Sequence, residues 1–141
     1  MTIKLLQESD INEALSQQIH DLFKQLNAEI RQLDIKNVLQ QGNDFICACC
    51  WEDTQLLGMA SLATYKVISG YKGMVEDVVV STACRGKGIG KKLMQSLIDE
   101  GEKRQLKEII LFSNHHRKPA IQLYKSLGFN LKESGMYTLK L

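Results

Sequence analysis

The feature that most constrains this chain is a run of twenty residues, Val75–Met94, whose character changes twice. It reads VEDVVVSTACRGKGIGKKLM. It opens as a β-branched strand that carries two adjacent carboxylates, Glu76 and Asp77, inside the apolar run. Three glycines interleaved with basic residues follow, and then apolar residues at helical spacing. Glycine lets backbone N–H groups approach a ligand closely, and a helix start offers unpaired N–H donors. The run therefore predicts an anion site, with a pyrophosphate as a good match.

The two common phosphate-binding motifs do not fit this turn. A P-loop requires G-x-x-x-x-G-K-[ST], but Lys91 stands five residues after Gly86. A dinucleotide fingerprint requires G-x-G-x-x-G, and Gly90 follows Gly88 one position too early. The pattern that remains is R-x-x-G-x-G, beginning at Arg85. A plain helix start with solvated lysines is the alternative, and the alternation of glycines with basic residues argues against it.

Length and composition indicate a single domain over residues 1–141. Hydrophobic residues make up 44% and charged residues 24%, as in soluble globular proteins. The net charge of +2 is too small to imply nucleic-acid binding by itself. We see no signal-peptide core and no run of membrane-spanning length, and therefore expect a cytoplasmic protein with reduced cysteines.

The four cysteines do not have the spacing of zinc ligands. Cys47, Cys49 and Cys50 lie close together, and Cys84 stands alone. We expect small apolar residues in a buried strand and no metal site.

The order of predicted elements indicates an α/β fold with a mixed sheet and helices on both faces. The apolar residues from Ile11 to Leu33 recur every three or four positions, as in one amphipathic helix or two in succession, with Asp10 and Glu13 as a capping pair at the start. Asp53-Thr54 is predicted to be a hairpin turn and Ser69–Gly73 a loop. The predicted strands are Ile3–Leu6, Phe45–Glu52, Gln55–Ile68, Met74–Ser81, Glu108–Phe112, Phe129–Lys132 and Met136–Leu141. The later helices are expected from Ile89 to about Arg104, and from Pro119 to a stop at Gly128.

Two motifs resemble the acetyl-CoA-binding region of the GNAT superfamily of N-acetyltransferases. The first is R-x-x-G-x-G at Arg85–Gly90, and the second is A-x-x-x-Y-x-x-x-G-F at Ala120–Phe129. They occur in the expected order, and the resemblance extends from Met74 to Phe129. It implies one N-acetyltransferase domain with the GNAT fold, a central mixed and mostly antiparallel sheet with a splayed parallel strand pair. Acetyl-CoA would be the co-substrate.

The resemblance also implies which residues hold the coenzyme. Pantetheine would bond to the strand backbone at Val78–Val80, and the amides of Gly86 through Lys91 would hold the pyrophosphate. Many family members carry an asparagine where this chain has Arg117, and Asn114 is the candidate replacement. The implied coenzyme-binding residues are Val78, Val79, Val80, Arg85, Gly86, Lys87, Gly88, Ile89, Gly90, Lys91, Asn114, Arg117 and Tyr124.

Acetyl transfer to an amine requires a group that accepts the amine proton. Glu76 and Asp77 are the candidates, directly or through water. Strand alternation predicts that they point to opposite faces, Glu76 with Val78 and Val80, so that they do not act as a pair. By the resemblance, Tyr124 would protonate the departing thiolate, although a packed helix aromatic is the alternative.

The function predicted from sequence is acetyl transfer from acetyl-CoA to a primary amine of a small molecule or peptide, by direct attack. A non-catalytic CoA-binding regulatory module is the alternative. The hypothesis of nucleic-acid binding would be supported only by the lysines near Gly86, and no aromatic residues are interleaved with them. We expect neither nucleic acid nor membrane as a partner, and a homodimer is left open. His115 and His116 are either bases, substrate contacts or solvated loop residues.

Overall fold

Five strands form one sheet whose spatial order is also their order along the chain. The structure is a computed structural model that describes residues 1–141. The first four strands pair antiparallel with their neighbours, and the fourth and fifth pair parallel. The strands are β1 (Thr2–Leu5), β2 (Phe45–Glu52), β3 (Gln55–Val67), β4 (Gly70–Val80) and β5 (Glu108–Ile110). The helices are α1 (Glu13–Leu26), α2 (Ile35–Val38), α3 (Ile89–Lys103) and α4 (Lys118–Ser126).

The core consists of two apolar layers, one on each face of the sheet, as the sequence predicts. One face is covered by α1, and we call it the α1 face; its layer includes Leu15, Ile19, Leu22, Cys47, Cys49 and Val79. The opposite face, the α3 face, is covered by α3 and α4; its layer includes Val75, Ile89, Leu93, Met94, Leu97 and Tyr124. Three of the four cysteines, in β2, are buried as predicted. None of the helices combines the length and apolarity that crossing a bilayer requires.

The segment predicted as a loop, Ser69–Gly73, belongs mostly to a strand. The turn is only two residues long, and β4 begins directly after it at Gly70. A Cβ atom on Gly73 would lie 2.8 Å from Leu62 and 3.1 Å from Leu106, so close packing requires glycine here. The prediction was wrong because these glycines serve sheet packing, which local composition does not reveal.

The first helix begins later than predicted and ends earlier. Its N-cap is Asn12, whose Oδ1 accepts the Leu15 N–H at 2.8 Å. Asp10 instead accepts the Gln7 N–H at 2.8 Å, across a 3-10 turn at Glu8–Asp10. Of the predicted apolar stripe, Leu15, Ile19, Leu22 and Leu26 lie in α1, whereas Ile30 and Leu33 lie between α1 and the short α2, in no helix. The stripe was therefore predicted to be longer than the helix that forms.

The predicted C-terminal strand pair is absent. No backbone N–H after Phe129 donates a hydrogen bond, and Leu139 and Leu141 are exposed. A strand at this place would need a long edge to pair with, but β5 ends at Ile110, short of the predicted Phe112. Alternating apolar residues are therefore not sufficient to form a strand here.

Asp44 is predicted to stabilise the fold in a pH-dependent manner. Its carboxylate accepts hydrogen bonds from the Tyr71 hydroxyl at 2.9 Å and from Arg104 at 3.1 Å. Partial burial alone would raise the pKa of Asp44, but hydrogen bonds from Thr64 and Tyr71 and the charge of Arg104 together lower it below 3.8. A lowered pKa stabilises the folded state above the unfolded pKa, and this contribution is lost as the pH falls through the folded pKa. We expect Asp44→Asn to cost about 0.5 to 1 kcal/mol at neutral pH, because the site is solvent-screened.

Thermal unfolding from pH 7 down to about pH 3 measures this contribution, and the difference from wild type should shrink over that range. Glu133→Gln, in the exposed C-terminal segment, is the control and should leave the melting temperature unchanged. A constant difference at every pH would contradict the assignment.

Candidate active site

A β-bulge in β4 carries the two carboxylates. Met59 pairs with Val79, whereas Ser61 pairs with Glu76, so β4 has one extra residue between these pairs. Asp77 lies within the bulge and has a φ of +53°, in the left-handed region that non-glycine residues rarely adopt. Such a conformation costs about 1 to 2 kcal/mol, and strain of this kind is found most often at functional sites.

The bulge reverses the side-chain alternation along β4. Val75 packs in the layer on the α3 face, yet Val79, four residues later, packs in the layer on the α1 face. Val78 and Val80 pack against the α3 face. Glu76 follows Val75 and therefore lies on the α1 face, so the prediction that it shares a face with Val78 and Val80 is wrong.

The charge of Asp77 acts on Glu76, whereas the prediction that the two carboxylates do not act as a pair in catalysis stays a prediction. Partial desolvation, followed by the charge of Asp77, raises the pKa of Glu76. Partial desolvation also raises the pKa of Asp77. Neither carboxylate forms a salt bridge. These carboxyl groups therefore stay protonated to higher pH than ordinary ones. A carboxylate with a raised pKa binds a proton more strongly, which suits a general base.

The parallel strand pair separates beyond Met74. Pairing between β4 and β5 is confined to Lys72–Glu108, Gly73–Ile109 and Met74–Ile110. The rest of β4, Val75–Val80, has no strand partner on the side of β5. This confirms the splayed pair that the family resemblance implies, and it leaves Val78, Val79 and Val80 beside an open gap.

The glycine turn presents an uninterrupted series of unpaired amide donors. No backbone N–H from Arg85 to Lys91 donates a hydrogen bond, and the first bond of α3 runs from the Lys92 N–H to the Gly88 carbonyl at 3.2 Å. Gly88 is the N-cap residue, and its φ of +75° and the φ of +83° at Gly86 both lie in the left-handed region that favours glycine. Seven donors at the positive end of a helix dipole favour a bound anion.

A cavity of about 280 Å³ lies between this turn and the start of α4. Six of its residues are among those predicted from the resemblance, including Arg85 and Val80. The lining residues are Val80, Cys84, Arg85, Gly86, Gly88, Ile89, Gly90, Pro119, Ala120 and Leu123. Lys87 and Lys91 are exposed beside the turn and do not line the cavity. The two motifs of the resemblance therefore meet in space.

Gly58 on β3 positions the start of α3, and sequence reasoning did not identify it. A Cβ atom there would lie 3.2 Å from both Ile89 and Leu93. The available signal was a glycine inside the apolar strand, which often marks a close approach of another element.

Tyr124 is buried, at 9% exposure, in the layer on the α3 face. Burial raises its pKa, and the charge of Arg117 opposes this rise. The phenol therefore stays protonated at neutral pH and is able to donate a proton. Its ring contacts that of Phe129 edge-on, with centroids 6.2 Å apart. Glu76 lies on the opposite face, so the gap between β4 and β5 is the direct route between the two groups.

The polar residues before α4 do not line the cavity. The Arg117 N–H donates to the Asn114 carbonyl at 3.0 Å, which closes an exposed turn at the start of the helix. His115 and His116 lie in the same turn and are also exposed. Coenzyme contacts by Asn114 and Arg117 thus stay predictions.

The sheet with its separated parallel pair, joined to a glycine turn at a helix start, is the architecture implied by the family resemblance. Comparison of the sequence with models of known families supports the same resemblance. The model of the acetyltransferase (GNAT) family matches residues 10–129. The chain belongs to the GNAT family of acetyltransferases.

The similarity to individual relatives covers either part of the chain or nearly all of it. An L-methionine sulfoximine/L-methionine sulfone acetyltransferase of Pseudomonas paraeruginosa is 32% identical over 55% of this chain, which corresponds to 45% of the relative's own length. A glucosamine 6-phosphate N-acetyltransferase of Trypanosoma brucei brucei is 27% identical over 96% of this chain and 93% of its own. A crystal structure of a Trypanosoma brucei acetyltransferase superposes with a TM-score of 0.79, at 26% identity, and covers 99% of both chains.

Proposed function

We propose that this protein is a single-domain N-acetyltransferase that moves an acetyl group from acetyl-CoA to a primary amine. The observation that carries the proposal is the series of seven unpaired N–H groups from Arg85 to Lys91, located beside the unpaired edge of β4. A diphosphate bound to these donors would lie at the mouth of the cavity. No other helix in the fold begins with a comparable series of unpaired donors.

The coenzyme would then extend from the turn along β4. Exposed strand edges accept extended partners through main-chain hydrogen bonds, and Val78–Val80 provide such an edge. This arrangement would bring the thioester into the gap between β4 and β5. A backbone N–H of the same strand would stabilise the oxyanion that forms on the acetyl group.

In the proposed reaction, the amine nitrogen attacks the thioester carbonyl carbon and the carbon–sulfur bond breaks. Glu76, with Asp77 beside it, accepts the proton that the amine loses, directly or through water. Tyr124 donates a proton to the departing thiolate, which becomes the thiol of CoA. The two groups lie on opposite faces of the sheet, so each would reach the thioester from its own side.

We further propose that the acceptor is a small-molecule amine rather than a peptide. Two relatives are named for small acceptors, a sugar phosphate and an amino-acid analogue. The first of these covers nearly the whole chain, whereas the second covers about half. The proposal includes a cytoplasmic location and leaves the oligomeric state open between a monomer and a homodimer.

The test is release of free thiol from acetyl-CoA across a panel of amines, including amino sugars, amino acids, aminoglycosides and short peptides. We expect release above background with at least one small amine. Binding of CoA without thiol release from any amine would favour the non-catalytic CoA-binding module instead. Binding itself is measured by thermal shift, where ligand at a hundred times its dissociation constant adds about 2.7 kcal/mol.

A further inference from the structure

The last turn of α1 is attached to the chain just before the glycine turn. The side-chain Oε1 of Gln25 accepts the backbone N–H of Thr82 at 2.9 Å, across 57 residues of sequence. Helix α1 lies on the α1 face, beside the carboxylates, whereas the glycine turn leads into α3 on the other face. The bond therefore connects the two sides of the candidate site.

This contact is the last hydrogen bond between the rest of the fold and the approach to the turn. The ladder between β3 and β4 ends at the Ser81 N–H, which donates to the Leu57 carbonyl at 2.8 Å. Gln25 binds the next N–H along the chain, that of Thr82. The Cys84 N–H then bonds locally to the Ser81 carbonyl at 2.9 Å, and the unpaired donors begin at Arg85.

The turn needs such an attachment because its own backbone provides little restraint. Glycine at two of its positions widens the accessible conformations, and seven consecutive donors lack internal partners. Binding through a preformed set of donors costs less conformational entropy than binding that must first order them. A bond at Thr82 fixes the direction in which the chain leaves the sheet.

We propose that Gln25 is a positioning residue for coenzyme binding, which acts by holding Thr82 and therefore the orientation of the glycine turn. This inference rests on the proposed function, since it assigns Gln25 a role in CoA affinity. Gln25 itself is exposed and does not line the cavity, so it is not a catalytic residue.

The chain supplies a matched control in Gln18, two helical turns earlier on α1. Its Oε1 accepts the Leu56 N–H at 2.9 Å, and its Nε2 donates to the Thr54 carbonyl at 3.0 Å. It therefore makes the same kind of contact between helix and backbone, but at the hairpin between β2 and β3. Substitution by methionine removes the amide at either position while keeping side-chain length and helix propensity.

The test is titration of CoA into wild type, Gln25→Met and Gln18→Met by calorimetry, which requires no acceptor amine. We expect Gln25→Met to weaken CoA binding about threefold to tenfold, the factor that corresponds to one hydrogen bond. Gln18→Met should bind as wild type does, although both variants lose thermal stability. Once an acceptor is known, the KM for acetyl-CoA should rise by the same factor while the KM for the amine does not.

A second variant tests the route through Thr82. Thr82→Pro removes the N–H donor, and the extended conformation of Ser81, with ψ near 134°, is compatible with a following proline. In that background Gln25→Met should cause no further loss of affinity, since the two changes remove the same bond. Additive losses would overturn the proposed route.

Two further outcomes would overturn the inference. The first is wild-type CoA affinity in Gln25→Met, and the second is equal weakening by Gln18→Met. If wild type itself binds no CoA, the proposed function fails and the inference fails with it. Intact binding by wild type together with an unaffected Gln25→Met overturns the inference alone.

Discussion

Replacing Gly88 with valine is expected to weaken coenzyme A binding by about a hundredfold or more. The φ of +75° at this position is unfavourable for a β-branched residue, so the turn should change conformation and misdirect its amide donors. No atom lies within 4 Å of where a Cβ would be, so the expected loss comes from backbone conformation and ligand contact rather than core packing. Strain of about 1 to 2 kcal/mol and lost hydrogen bonds to a charged group, about 1.5 to 3 kcal/mol, together account for this factor.

Gly42→Val is the matched control for this substitution. Gly42 has a φ of +97° and equally open surroundings, but it lies in the turn before β2. Both variants should lose a similar amount of thermal stability, whereas only Gly88→Val should lose CoA binding in calorimetry. Retention of wild-type affinity by Gly88→Val would contradict an anion site at this turn.

Glu76→Gln is expected to lower kcat by about 10² to 10⁴, the range for loss of a general base. The KM for acetyl-CoA should change little, because Glu76 does not line the coenzyme cavity. A carboxyl whose folded pKa is raised destabilises the folded state at pH values above that pKa, so the variant should be no less thermally stable than wild type at pH 7. Stopped-flow detection of thiol release measures kcat, and undiminished turnover would exclude Glu76 as the base.

The dependence of kcat/KM on pH distinguishes the role of Glu76 from that of Asp77. Loss of kcat/KM at acidic pH should occur above the ordinary glutamate value of 4.5, since the base must be ionised. Asp77→Asn removes the negative charge that contributes to this rise, so the acidic limb should move to lower pH while activity is retained. Asparagine also tolerates the left-handed conformation, which makes the variant structurally conservative. An unmoved limb in Asp77→Asn would show that Glu76 does not control it.

Local sequence determines the parts of the fold that were predicted correctly. The strand Phe45–Glu52, its two-residue turn and the helix from Ile89 follow from periodicity and turn residues within a few positions. The loop at Ser69–Gly73 and the C-terminal strand pair were wrong, because they depend on partners elsewhere in the chain. Gly73, for example, is explained only by the leucines that pack over it.

The residues of the candidate site also fall into those that local sequence predicts and those that depend on distant partners. The glycine turn is recognisable from sequence because its chemistry is contained in consecutive residues. The face on which Glu76 lies was missed, since the bulge arises from pairing with β3, and an aspartate gives no local signal for a positive φ. Gln25 was missed for a similar reason, as its partner lies 57 residues away.

The agreement between strand order and chain order has a consequence for assembly of the protein. Each strand joins an edge formed by the strand before it, so the sheet is able to grow outward from the β2–β3–β4 meander without any chain crossing. The final strand follows the α3 crossover in the chain, so we expect it to join last, and it is held by just three residue pairs. We therefore expect the cleft between β4 and β5 to form last, where the sheet has the fewest residue pairs between neighbouring strands. Local opening should be easiest at this place, and a bound ligand should therefore stabilise it most.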